Sequence, residues 1–333
     1  MLISVVLIYD THTLFNKVNV DAREEVAHLQ EAKELELQPP LNITWKRGKD
    51  MPFAMNYNPD VAVLKEMVYV GGGGGRTVGK GEYIVMVYDI QRDSWNILPP
   101  YSFYWFSLTV LNNQLVLVGG VDNNHVDRTN KLGVWDDKAR WTHPFPPMPT
   151  ARSGAMVVTH NNRWMVVAGG YSLLEGSCSE VEIFDSSARQ WYLGTSLPVR
   201  GYKMSSTVIK NMWYLLGGYT RAKSRKVLYI NLNHLIIQAI SDLPTSSPPS
   251  EWCFLPDTPL KRSAALALNG ALLAIGGKYG GSAMYLYQPR SRSWSKIKEQ
   301  LCSERDECVC TVLPYGKVFI VGGNTEQIHI GIV

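Results

Sequence analysis

Charge is scarce in this chain. Asp, Glu, Lys and Arg make up 19% of its 333 residues and leave a net charge of +4, where soluble domains usually carry about a quarter. Neither a nucleic-acid-binding stripe nor a polybasic membrane patch is therefore expected. Cysteine is also sparse: Cys178, Cys253, Cys302, Cys308 and Cys310 are odd in number and irregularly placed, which argues against a disulfide framework and for a reducing compartment. Cys308 and Cys310 share a strand face but lack Cys-x-x-Cys spacing. The seven histidines are scattered singly, so no zinc pattern forms and neither a metal nor a cofactor is expected. No apolar run reaches membrane-spanning length. Met1 to Tyr9 is apolar but stops at Asp10 without a basic leader or cleavage site, and a cytosolic protein is the default expectation. Catalytic signatures are missing as well, since no Gly-x-Ser-x-Gly, His-Glu-x-x-His or P-loop occurs. Gly71 to Gly75 followed by Arg76 lacks the Gly-Lys-Ser/Thr ending of a phosphate loop and reads as a flexible turn.

Long helix-forming stretches are absent with one exception. Residues 21–37 contain no glycine or proline and place Ala22, Val26, Leu29 and Ala32 at helical spacing behind Asp21, a candidate cap. With two short strands before it, Leu2 to Tyr9 and Leu14 to Val20, this makes an N-terminal extension over residues 1–41. Either the helix packs on the outside of the domain or it is the remnant of a longer helical region.

What the chain has in abundance is glycine, tryptophan and tyrosine, 28, 10 and 17 residues respectively, in a fixed order. Six short apolar runs each end in two glycines: Gly71-Gly72, Gly119-Gly120, Gly169-Gly170, Gly217-Gly218, Gly276-Gly277 and Gly322-Gly323. The copies lie 46 to 59 residues apart, a period that indicates a stacked or radial repeat. Each run has strand length, and the paired glycines mark a strand end where the backbone needs positive φ or passes close to a neighbour. Before each run comes another apolar strand and a tight turn, clearest at Asn112-Asn113, Asn161-Asn162 and Asn269-Gly270. After it come a polar loop and a hairpin with a ring on each arm: Tyr88-Asp89 then Trp95, Trp135-Asp136 then Trp141, Phe184-Asp185 then Trp191, Tyr287-Gln288 then Trp294. In the copy containing Tyr229, Leu235-Ile236 stands where tryptophan is expected, so aliphatic packing should replace the ring. The recurring aspartates read as turn caps.

Four antiparallel strands repeated radially give a β-propeller. These units also resemble the kelch repeat of kelch-like proteins, through the Gly-Gly, the aromatic-Asp, the tryptophan opening the fourth strand, and Met148-Pro149, Leu197-Pro198 and Leu243-Pro244 after it. The resemblance covers residues 42–333 and implies an all-β, six-bladed propeller whose last blade is closed by the Trp45 strand. Glu326 to Val333 is expected as that blade's third strand, with Leu2 to Tyr9 as the competing segment.

The resemblance further implies a protein-protein interaction module, an adaptor or scaffold that takes a protein or peptide partner, with acidic chemistry one option, on the face built by the loops after Gly-Gly and the connections between blades. An arginine just before the first strand points into that face in peptide-binding relatives. Arg152 in Arg-Ser-Gly-Ala and Arg262 in Arg-Ser-Ala-Ala match it, Lys203 matches more weakly, and Trp105 stands there in the second full copy. Tyr104, within Tyr101 to Phe106, and Arg76, Arg221 and Arg225 complete the candidate face. The insertion Ser241 to Leu260, with Trp252 and Phe254, is expected as an excursion on the same face. The alternative is a kelch-type propeller enzyme acting on a carbohydrate or small molecule, which would need a converging metal or arginine cluster that the sequence does not present. Residues 1–41 leave no room for the BTB and BACK domains of ubiquitin-ligase adaptors, so either a free-standing propeller or a fragment of a longer chain is expected, and a monomeric one.

Overall fold

The computed structural model describes residues 42–55, 59–73, 84–122, 127–136, 138, 140–220, 225–241, 251–323 and 325–332. The expected N-terminal helix and strands, Arg76 and Arg221 lie outside them. Six four-stranded antiparallel sheets form the blades. Blade 1 comprises Asp60–Leu64, Met67–Gly71, Met86–Asp89 and Ser94–Ile97, and blade 2 comprises Ser107–Leu111, Gln114–Val118, Leu132–Asp136 and Arg140–Thr142. Blade 3 is Met156–His160, Trp164–Ala168, Val181–Asp185 and Gln190–Gly194, and blade 4 is Ser205–Ile209, Met212–Leu216, Val227–Asn231 and Cys253–Leu255. Blade 5 is Ala264–Leu268, Ala271–Ile275, Met284–Gln288 and Ser293–Lys296. Blade 6 takes Cys308–Val312, Val318–Gly322 and His329–Ile332 from the C-terminal end and its outermost strand, Thr44–Arg47, from the other. Trp45 lies opposite Gly331 in that last pair.

The apolar clusters sit between blades. One unites Met86 and Tyr88 of blade 1 with Phe319 and Val321 of blade 6, and another unites Val166 and Ile183 of blade 3 with Trp213 and Leu228 of blade 4. Each sheet is thus stabilised by its neighbours, as a radial repeat requires. The two glycines work at these seams. Gly120 N–H donates to the Arg152 carbonyl of the next blade at 3.0 Å, Gly170 N–H to the Gly201 carbonyl at 2.9 Å, and Gly277 N–H to the Arg305 carbonyl at 3.0 Å. The preceding glycine must be bare for that approach, because a Cβ on Gly119, whose φ is +64°, would overlap the Arg152 carbonyl. The tryptophans staple the rim in the same sense. Indole N–H groups donate to backbone carbonyls on the preceding connection: Trp95 to Lys49 at 2.7 Å, Trp141 to Pro99 at 2.8 Å, Trp191 to Pro146 at 3.2 Å and Trp294 to Pro256 at 2.9 Å.

Blade 4 corrects the sequence expectation twice. Leu235 and Ile236 do not form a fourth strand; they are buried on a helix, α1 (Leu232–Ile240), whose apolar residues recur at helical spacing. The polar residue that ends a third strand elsewhere caps a turn, as when Asp185 Oδ1 accepts from Ser187 N–H at 2.9 Å. In blade 4 Asn231 has the same place and its Oδ1 accepts from His234 N–H, so the turn cap becomes a helix N-cap. The fourth strand then begins at Cys253, and Trp252 just before it supplies the ring. Its indole donates to the Thr195 carbonyl at 2.9 Å and packs on Trp213. The expected insertion Ser241 to Leu260 thus contains the fourth strand: Trp252 enters that strand at the end of the ring opposite the Gly-Gly loops, whereas the stretch after Leu255 returns to the Gly-Gly end, where Thr258 N–H donates to the Arg225 carbonyl at 3.0 Å. At the opposite end α1 is tied to blade 3 by His160 and Asn233 at 2.6 Å.

Candidate functional site

First strands line the centre of the ring around a cavity of about 470 Å³. Their inward edges are laced across blades by short polar side chains. Leu108 N–H donates to Asp60 Oδ2 at 2.8 Å, Ala265 N–H to Ser205 Oγ at 2.8 Å, Ala267 N–H to Thr207 Oγ1 at 3.1 Å, and Ser107 Oγ to the Ala155 carbonyl at 2.6 Å. Burial raises the Asp60 carboxyl to about 6 despite its two backbone donors.

At the Gly-Gly end, strand register fixes one equivalent collar residue per blade, the one before the residue facing the first glycine. These are Pro59, Trp105, Gly154, Lys203, Arg262 and Glu307. The last five have φ between +51° and +58°, so the chain turns sharply there and directs the side chains of the four that are not glycine toward the mouth. Backbone bonds link neighbours: Gly154 N–H to the Trp105 carbonyl and Lys203 N–H to the Gly154 carbonyl, both 2.8 Å. Because Gly154 carries no side chain, Lys203 crosses its blade and sets Nζ 4.4 Å from the Trp105 ring centroid. Burial lowers the Lys203 amine to about 8, partly offset by Glu307 and reinforced by Arg262.

Above the collar, short secondary ladders lift aromatic residues clear of the blades. Phe103–Tyr104 pairs with Val121–Asp122, Gly201–Tyr202 pairs with Tyr219–Thr220, and Ser153 bridges Tyr171. The outcome is an arc across five blades. The Arg128 guanidinium lies 5.1 Å from the Tyr171 ring centroid. Tyr171 meets Tyr202 edge-on at 5.5 Å, and Tyr202 stacks on Tyr219 at 5.0 Å. Arg262 lies 3.7 Å from the Tyr219 ring centroid and pairs with Glu307, which also accepts from Tyr219 Oη at 2.9 Å. Burial first, then Glu307, holds the Tyr219 hydroxyl protonated, and burial does the same for Tyr202.

Of the residues singled out in the sequence, Trp105, Lys203 and Arg262 come together at this mouth. Arg152 does not. Its side chain is 0% exposed and pairs with Glu182 at 2.6 Å, because it stands two residues before its blade's collar residue, Gly154. Tyr104 is buried, packed 5.2 Å from Trp105. Arg225 is exposed just before a third strand and makes no contact with the arc among the interactions described. Sequence reading missed Arg128, Tyr171, Tyr202, Tyr219 and Glu307. The available signal was Gly-Gly-Tyr, repeated at Tyr171 and Tyr219. Among the described residues no three His, Cys, Asp or Glu side chains converge as a metal site, and no helix is long and apolar enough to cross a membrane.

The sequence signature of the KLHDC2/KLHL20/DRC7 kelch-repeats domain matches residues 58–254 and again 105–323. The chain belongs to this kelch-repeat family. It is 26% identical to kelch-like protein 15 of Mus musculus over 199 residues, 54% of this chain and 32% of that protein. With kelch-like protein 23 of Homo sapiens it shares 22% identity over 290 residues, 83% of this chain and 48% of that protein. It is also 26% identical over 189 residues to acyl-CoA-binding domain-containing protein 5 of Arabidopsis thaliana, 53% of this chain and 29% of that protein. The matches thus span 29% to 48% of the length of these relatives. The solved structure of YjhT has the same fold, with a TM-score of 0.64 at 15% identity over 85% of this chain and 95% of that one. Kelch-family homology supports a protein-binding propeller module.

Proposed function

We propose that the Gly-Gly face is the docking surface, that its ligand is a protein or peptide segment, and that the collar and the tyrosine arc are the contact. The observation that carries this is the continuous arc Arg128, Tyr171, Tyr202, Tyr219, Arg262. It is raised on ladders separate from the blade sheets, and its tyrosines belong to none of the clusters between blades. Rigid aromatic rings bordered by arginine are the composition of binding hot spots. Lys203 and Arg262 beside them favour a partner segment bearing carboxylates, and a scaffold or adaptor role follows from a rigid ring that presents one such face.

Affinity capture should compare the intact chain with two variants: Lys203→Ala with Tyr202→Ala on the collar face, and Tyr315→Ala in the exposed first-to-second-strand turn of blade 6 at the opposite end. A specific partner should vanish with the first and persist with the second while both variants unfold near the wild-type temperature. Losing a charged anchor costs about 2–5 kcal/mol of binding when its partner group is left unpaired. Retention by the collar variant and loss with Tyr315→Ala would move the interface to the other end.

A further inference from the structure

Two arginines hold the same station in different blades. Arg152 and Arg305 each stand two residues before a collar residue, Gly154 and Glu307, and are 0% and 1% exposed. Each donates from Nη1 to the carbonyl of its blade's first glycine, Gly169 at 2.8 Å and Gly322 at 2.7 Å. Each also donates from Nη1 to one further carbonyl, Glu180 at 3.0 Å and Gln327 at 2.7 Å. In blade 3 Val167 faces Glu182, and in blade 6 the matching second-strand residue, Ile320, faces His329. Glu182 and His329 are therefore register equivalents.

Their chemistry is not equivalent. Glu182 neutralises Arg152 through Nη2, whereas blade 6 offers an imidazole, and among the described residues no ion pair reaches Arg305. Arg305 Nε and Nη2 and His329 Nδ1 are buried without a hydrogen-bond partner. The neighbouring Asp306 interacts with Lys278, Arg262 and Glu307, while Asp50, which acts on Arg305 only from a distance, is hydrogen-bonded to Arg47. A guanidinium cannot shed its charge, and a buried charge with no counter-charge in contact is strongly unfavourable.

We propose that Arg305 and His329 form an internal site for a small monovalent anion of halide size, chloride in the cell, seated where blade 3 has the Glu182 carboxylate. His329 suits this in its neutral form. Its Nε2 lies 3.5 Å from Ser303 Oγ and can accept from that hydroxyl, which leaves Nδ1–H to donate to the anion alongside Arg305 Nε–H and Nη2–H. His329 belongs to the strand paired with Thr44–Arg47, so the anion ties the segment entering blade 6 to the strand that closes the ring.

The test is thermal unfolding of the intact chain in sodium chloride and in sodium gluconate at matched ionic strength. Unfolding should occur at a higher temperature in chloride, rising by about 2 °C for each ten-fold increase once the site begins to fill. His329→Glu should raise the transition in gluconate and abolish the difference between the salts, since it supplies the carboxylate of blade 3. Glu182→His should add a second chloride-dependent increment. Wild-type crystals soaked in bromide should show an anomalous peak between Arg305 and His329, a readout that does not depend on any variant folding. Equal transitions in the two salts without a bromide peak overturn the proposal, as does a chloride effect that survives His329→Glu with bromide bound elsewhere.

Discussion

Replacing each rim tryptophan in turn by phenylalanine separates what the indole N–H contributes from what the ring contributes. Trp141 and Trp252 donate to the Pro99 and Thr195 carbonyls at 2.8 and 2.9 Å, and a hydrogen bond of this kind has a net worth of about 1 kcal/mol. The smaller ring forfeits about 1 kcal/mol more of apolar burial, so Trp141→Phe and Trp252→Phe should each cost about 2 kcal/mol. Trp45, on the closing strand, is the internal control, because its Nε1 is buried without a partner. Trp45→Phe gives up the same packing but relieves an unsatisfied donor, a gain of about 1 kcal/mol, and the two terms nearly cancel. Urea unfolding followed by far-ultraviolet circular dichroism, with equal slopes as the condition for comparison, reads the difference. If Trp45→Phe lost as much stability as Trp141→Phe, the indole bonds would carry no net energy and the rim would be held by ring packing alone.

Asn231→Ala should cost about 1 kcal/mol through loss of the α1 cap, while Asn231→Asp should retain most of the stability in the same urea assay. Gly119→Ala should destabilise by more than about 3 kcal/mol, since the methyl meets the Arg152 carbonyl and φ is positive, whereas Gly176→Ala, where φ is also positive but no atom lies within 4 Å, should cost only about 1 kcal/mol. Lys203, with its amine lowered to about 8, should lose its charge between pH 7 and 9, so affinity for a carboxylate-bearing partner should fall there. Stability should not fall with it: between the folded value and the ordinary one near 10.5 the unfolded chain binds the extra proton, and the Lys203 contribution to stability rises with pH. Affinity that stays flat across this range in titration calorimetry would remove Lys203 from the contact.

The features legible in the sequence were those whose cause recurs in every blade. Gly-Gly repeats because a carbonyl of the next blade must come close, and Trp repeats because an indole reaches the preceding connection; both leave the same residue type in each copy. Arg152 was misread for a definable reason. It shares Arg-Ser with Arg262 but stands two residues farther from its following turn, Asn161-Asn162, than Arg262 does from Asn269-Gly270. Register counted from the turn would have put Gly154 at the collar and Arg152 inside. Helix α1 was hidden because Leu235-Ile236 fell at the spacing of the missing tryptophan strand, although Leu232, Leu235, Ile236 and Ala239 have helical spacing. The tyrosine arc left only the Gly-Gly-Tyr signal at Tyr171 and Tyr219, because its other members, Arg128, Tyr202 and Arg262, are not repeated from copy to copy.

The division of labour between collar and seam follows from which backbone groups are already committed. Two residues before the collar, the carbonyl takes the bond from the previous blade's second glycine, and in blades 3 and 6 the side chain turns inward to bind the blade's own first glycine. That position is fixed by both neighbours, and a change there disturbs two blades at once. At the collar itself, the chain turns with positive φ in blades 2 to 6, and the six blades carry Pro, Trp, Gly, Lys, Arg and Glu above the same four-stranded sheets. A propeller built this way can vary the chemistry of its mouth at small cost in folding stability. By the same logic an arginine at the buried station needs a charge to balance it, and because His329 stands at the register place that Glu182 fills in blade 3, the proposed anion at Arg305 takes over the role of the carboxylate.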